Sequence, residues 1–124
     1  MSHFIGIAGN SGMPGAQLMH FSLKSNYNSI LSSPSSTVNI TLGKSNYNIH
    51  ITEGILAYNQ GVYRITIYGF DNSMPWLPPI PFSAILMLQI SSSTISPPPL
   101  YGTASWTLGS TRISNVSVSG TLNP

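Results

Sequence analysis

Glu53 and Asp71 are the only acidic side chains in 124 residues, and His3, His20 and His50 are the only imidazoles. Two carboxylates are the minimum set for glycoside cleavage, in which one protonates the leaving oxygen and the other attacks or activates water. Asp71, however, lies in Phe70-Asp71-Asn72-Ser73, a run that reads as a turn, and no spacing sets Glu53 against it. His50 and Glu53 form an H-x-x-E. On a strand those positions face opposite ways, so they can share a metal only where a bulge intervenes. His20 and His50 can share an outer face but have no third ligand. Cysteine is absent, which removes thiolate sites and disulfides.

Other catalytic signatures are incomplete. Gly43-Lys44-Ser45 matches the end of a phosphate-binding loop, but Val38 stands where the leading glycine belongs. Gly6, Gly9, Gly12 and Gly15 are turn material without a G-x-G-x-x-G. Serine is abundant, yet no G-x-S-x-G elbow occurs. The expectation is a protein without catalytic residues, metal or cofactor, hence not an enzyme. Lys24, Lys44, Arg64 and Arg112 are the only lysines and arginines. Scattered singly, they form no patch to follow a phosphate backbone, so nucleic acid is not an expected partner.

The chain's polarity comes from neutral groups instead: forty residues are Ser, Thr or Asn. Aromatic faces beside such groups are what sugars use for stacking and hydrogen bonding. The candidate glycan contacts are Trp76, isolated among prolines, together with Tyr27, Asn28, Tyr47 and Asn48. Trp106 and about half of the tyrosines are expected in the core. Few charges also mean little repulsion between copies and few lysines guarding sheet edges, which favours a homo-oligomer or larger assembly. The candidate assembly residues are Val116, Val118 and Leu122, in an alternating, uncharged tail that could pair along a neighbour's edge. Self-association is the leading functional expectation, and a carbohydrate-binding, lectin-like module is the alternative.

These residues ride on strands. Period-two alternation recurs every dozen residues or so between Gly, Pro, Asn and Ser clusters, and no ten-residue window keeps a helical period. The predicted strands are 3–8, 17–24, 37–42, 46–57, 62–69, 83–91, 101–108 and 112–121. This is an all-β chain, an antiparallel β-sandwich or small barrel of about eight strands. Residues 83–91 are apolar on both faces, which predicts a central or doubly covered strand. In 46–57 the phase would bury Glu53, so a bulge at Glu53-Gly54 is expected to turn it outward, with Arg64 as its nearest cation. Gly109-Ser110 predicts a two-residue type II′ hairpin, with a second bulge between Ile113 and Val116. The prolines at 75–81 and 97–99 read as stiff crossover loops. Lys-Ser-Asn-Tyr-Asn occurs at 24–28 and again at 44–48, as one hairpin-sized unit used twice or as a product of biased composition.

Gly12-Met13-Pro14-Gly15-Ala16, followed by His20 and Ser22-Leu23, resembles the opening motif of a bacterial family catalogued as domain of unknown function 1842. The similarity continues through Ile65-Thr66-Ile67-Tyr68-Gly69-Phe70, the proline-rich segment and Gly102-Thr103-Ala104. The resemblance implies a bacterial protein and carries no assigned reaction or catalytic residue.

Length predicts a single β domain over 1–124 that buries roughly two-thirds of its unfolded surface. The start Met1-Ser2-His3-Phe4 lacks a signal-peptide pattern, which by default predicts a cytoplasmic location. Ile80 to Ile90, the most apolar run, is too short to cross a bilayer as a helix, so membrane insertion is not expected. The glycosylation patterns at Asn39 and Asn115 read as incidental.

Overall fold

Two-residue alternation is what a strand needs when one face is dry and the other wet. The computed structural model describes residues 2–10, 16–74, 76–91 and 94–124. Among them are nine strands: β1 (Ser2–Asn10), β2 (Gln17–Asn26), β3 (Ser29–Ile30), β4 (Thr37–Leu42), β5 (Ser45–Asn59), β6 (Val62–Asp71), β7 (Ile80–Ile90), β8 (Pro99–Leu108) and β9 (Thr111–Asn123). β1 pairs with β2, β2 with β4 and β4 with β5. Each later strand pairs with the next, until β9 returns to β1. The chain is thus a closed, antiparallel, eight-stranded up-and-down barrel, with β3 as an extra two-residue strand between β2 and β5.

An eight-stranded barrel has an interior just wide enough to be filled by side chains. Trp106, Phe4, Met19, Ile40, Ile65 and Leu86 are among those that fill it, each contributing about 1.5–3 kcal/mol by leaving water. The outer wall is largely Ser, Thr and Asn, the reverse of a lipid-facing barrel, whose apolar band points outward. Neutral side chains pair across it: Asn39 Nδ2 donates to Asn48 Oδ1 at 2.8 Å, and Thr41 Oγ1 donates to Asn46 Oδ1 at 2.8 Å. Ser83 and Thr107 hydroxyls lie 2.9 Å apart.

Closure needs small residues at the seam. Gly6 of β1 stands opposite Gly120 of β9. A methyl group on Gly120 would run into the Ile5 carbonyl, and one on Gly6 would meet the Phe21 ring. A second device seals the gap where β2 and β5 diverge. Ser36, fully buried, accepts a hydrogen bond on Oγ from Lys24 N at 2.9 Å, and Ser33 Oγ accepts one from Ile51 N at 2.9 Å. Serine hydroxyls here stand in for ladder partners, so part of the serine content is structural.

Both expected bulges are present. The first lies between Ile51 and Glu53, one residue before the expected place; it sets Glu53 outward opposite Tyr68 and returns Leu56 to the core. Arg64 pairs with Ala57, four residues along β6 from Tyr68, roughly 13 Å from the Glu53 rung. The second falls at Ser114-Asn115, where Asn115 adopts φ 53° and its N–H donates to Ser105 Oγ at 3.0 Å. Gly109-Ser110 forms the two-residue hairpin loop, with only Gly109 at positive φ (60°), as type II′ requires.

Four expectations are corrected. Asp71 is not in a turn: it ends β6, faces inward and is buried, with Oδ2 accepting from Ser73 Oγ at 3.0 Å. The strand expected to be covered on both faces is covered on one, since Leu86 and Leu88 are buried while Ile85 and Met87 are each 40% exposed on the outer wall. The tail is not a free edge. Val118 and Leu122 lie where β9 is paired with both β8 and β1, Val118 is buried, and Val116 and Leu122 pack against the core. Finally, the two copies of Lys-Ser-Asn-Tyr-Asn are not one structural unit. The first runs from β2 into a turn, and the second runs from a turn into β5.

Candidate binding site at the mouth of the barrel

The first end of the barrel gathers the start of β1, the Tyr27-Asn28 turn and the β5–β6 hairpin. They surround an open pocket of about 680 Å³. Its floor is apolar and aromatic. Buried Phe4 meets Tyr63 edge-on with ring centres 5.3 Å apart, and Leu56 adjoins them. Tyr58 and Tyr63 are cross-strand partners with ring centres 4.5 Å apart and planes tilted by 45°. Burial, and secondarily the Tyr58 phenol beside it, raise the Tyr63 hydroxyl above its ordinary pKa of 10.0. Tyr63 therefore stays a neutral donor and acceptor throughout the physiological range.

The rim is held for exposure rather than packing. Tyr27 is 95% exposed, and its φ of 57° lies in the left-handed region. That conformation costs a bulky residue about 1–2 kcal/mol, and Tyr27 recovers none of it by burial. The turn persists because Leu56 N donates to the Asn28 carbonyl at 2.8 Å and Ser29 Oγ donates to Asn26 O at 3.0 Å. Tyr58, 62% exposed, stands on the opposite side of the opening. Gln60 and Gly61, both at positive φ, form the tight hairpin loop that places Tyr58 opposite Tyr63. Ser2 and Ser25 complete the wall, Ser25 Oγ donating to Ser2 O at 3.2 Å. No charged side chain lines the pocket.

The five residues predicted for glycan contact do not converge. Tyr27 and Asn28 belong to this mouth. Tyr47 and Trp76 lie at the second end, with the Gly43-Lys44 turn and the Gly109-Ser110 hairpin loop. Tyr47 is half-buried and lines a notch of about 220 Å³ with Leu42, Ile80 and Leu108. Asn48 sits on the outer wall, where its carbonyl oxygen is occupied by Asn39. Trp76 is 76% exposed in the β6–β7 connection. Its neighbour Pro75, like the Gly12-Met13-Pro14-Gly15 motif, lies outside the described residues.

Phe4, Tyr58 and Tyr63 were not singled out from sequence as a set. Tyr58 and Tyr63 flank a Gln-Gly turn and so were legible as a hairpin pair; Phe4 joins them only through barrel closure. Other clusters offer less. His3 Nε2 and Ser22 Oγ are hydrogen-bonded on the outer wall, without a carboxylate against them among the described residues. The bulge at Thr52 does bring His50 and Glu53 to one face, yet among the described residues no three His, Asp or Glu side chains stand together. A shallow groove of about 250 Å³ over β7–β9 has Arg112 and serines along it but no exposed aromatic face.

No protein-family model, curated protein or solved structure matches this chain.

Proposed function

We propose that the protein is a non-catalytic carbohydrate-binding module that takes a neutral oligosaccharide in the mouth of its barrel. The observation that carries this reading is Tyr27, held at φ 57° and 95% exposed on the rim of a pocket that also offers Tyr58, Tyr63 and Asn28. Tyrosine faces stack on the apolar face of a pyranose, while phenol, amide and serine groups meet its hydroxyls. The absence of charge around the pocket favours neutral over acidic sugars, which would leave a carboxylate or sulfate without a partner. A glycan array followed by calorimetry tests it. The wild type should bind neutral glycans, Tyr58→Ala should weaken binding at least about tenfold, and Trp76→Ala should leave it unchanged. No binding to any neutral glycan, or loss only in Trp76→Ala, overturns the reading.

A second reading, self-association, draws on a separate observation: the outer face of β7 carries Ile85 and Met87, which nothing within the chain covers. Barrel closure takes away the edge-to-edge route, so the contact would be face to face. Sedimentation at increasing concentration distinguishes a dimer from a monomer.

A further inference from the structure

On the self-association reading, we infer that the outer wall of β5–β7 is the interface for a second copy of this chain, related by a two-fold axis along the Ile55–Thr66–Ile85 rung. On this wall three rungs follow one another. Glu53 stands opposite Tyr68, which stands opposite Ser83; Ile55 opposite Thr66, opposite Ile85; Ala57 opposite Arg64, opposite Met87. Ile55, Tyr68, Ile85 and Met87 are all exposed. They are cross-strand or diagonal neighbours around Thr66, within the roughly 7–8 Å over which such side chains meet. The other exposed aliphatic pair on the barrel wall, Ile5 and Ile7, is flanked by Ser22 and His20 on one side and Thr121 and Ser119 on the other. The β5–β7 wall is therefore the contiguous apolar surface.

Charge chooses the occupant. Six charged side chains serve the whole protein, and two of opposite sign bracket this patch: Glu53 two residues to one side of the central rung, Arg64 two residues to the other. Neither has a side-chain partner among the described residues. A two-fold axis lying in the interface along the central rung turns every strand end for end. Ile85 then meets the second copy's Ile85. Arg64 comes level with the second copy's Glu53 and Tyr68, where a guanidinium can pair with the carboxylate and lie against the ring. The contact repeats on the other side of the axis, as an isologous interface demands. A surface with one acid and one base equidistant from its centre is complementary to itself, and the apolar outer face of β7 receives the cover that its sequence calls for.

Analytical ultracentrifugation of the full chain and four variants tests this, with circular dichroism confirming that each folds. The wild type should dimerise below about 100 µM. Ile85→Lys should weaken the dimer at least about tenfold, as should Glu53→Arg or Arg64→Glu alone. The double swap, Glu53→Arg with Arg64→Glu, should recover most of the loss, because it rebuilds the same pairs in reverse. A monomer at every concentration refutes both this interface and the self-association reading. A dimer indifferent to Ile85→Lys and to the single swaps refutes the interface alone. Binding at the mouth, which none of these residues lines, is measured separately and stands or falls by itself.

Discussion

The two copies of Lys-Ser-Asn-Tyr-Asn end up at opposite ends of the barrel and do opposite things. In the first, β2 alternates Lys24 outward and Ser25 inward, then breaks so that Tyr27 projects from a turn into solvent. In the second, the turn comes before the strand, and Tyr47 falls on the inward phase of β5, half-buried beside Leu42 and Ile80. One tyrosine adds to the packing that closes its end; the other costs backbone strain and leaves its end open. Five identical residues therefore carry no fixed role. Strand phase relative to the turn decides whether an aromatic ring serves stability or recognition.

A matched pair of substitutions puts that contrast under strain. Tyr47→Asn removes half-buried aromatic packing and should lower the unfolding free energy by about 2 kcal/mol, without changing ligand binding at the other end. Tyr27→Asn should do the reverse. Asparagine tolerates the left-handed turn, so stability should hold or rise by about 0.5 kcal/mol while glycan binding is lost. Urea denaturation of both variants decides it; equal destabilisation would mean that Tyr27 is a packing residue after all. A smaller effect concerns Tyr63 beneath the mouth. Its folded pKa is raised by burial and by Tyr58, so it holds its proton after the unfolded chain has lost it. The stability this contributes is fully present below pH 10 and declines as pH rises through the folded value. Absorbance titration at alkaline pH should show one tyrosine ionising late, and Tyr58→Phe should bring that step to lower pH.

The strand plan was legible because alternation over eight segments has one cause, a single dry face, and both bulges announced themselves as breaks in phase at Glu53 and Ile113. β3 was not legible: two residues have no period, and Ile30 reaches the core only because Gly54 opposite leaves room for it. Nor was closure, since the pairing of Gly6 with Gly120 spans nearly the whole chain. The mouth suffers from the same distance. Tyr27 and Asn28 could be chosen by type, but the turn that carries them meets Phe4, Tyr58 and Tyr63 only once β1, β2 and β5 are wrapped together. Trp76 was attractive because it is isolated, and the fold leaves it isolated, away from the other tyrosines proposed as its companions. In β7, apolar residues on both faces signalled a need for cover without saying which chain supplies it.

Chemical-shift mapping by NMR, titrating a neutral hexose oligomer into labelled protein, tests the central claim most directly. The mouth account predicts saturable shifts confined to the amides of Ser25–Ser29 and Ile55–Tyr63, with Ser45–Asn48 and Trp76 unmoved. Shifts centred on Trp76 or Tyr47, or none at millimolar sugar, would contradict it.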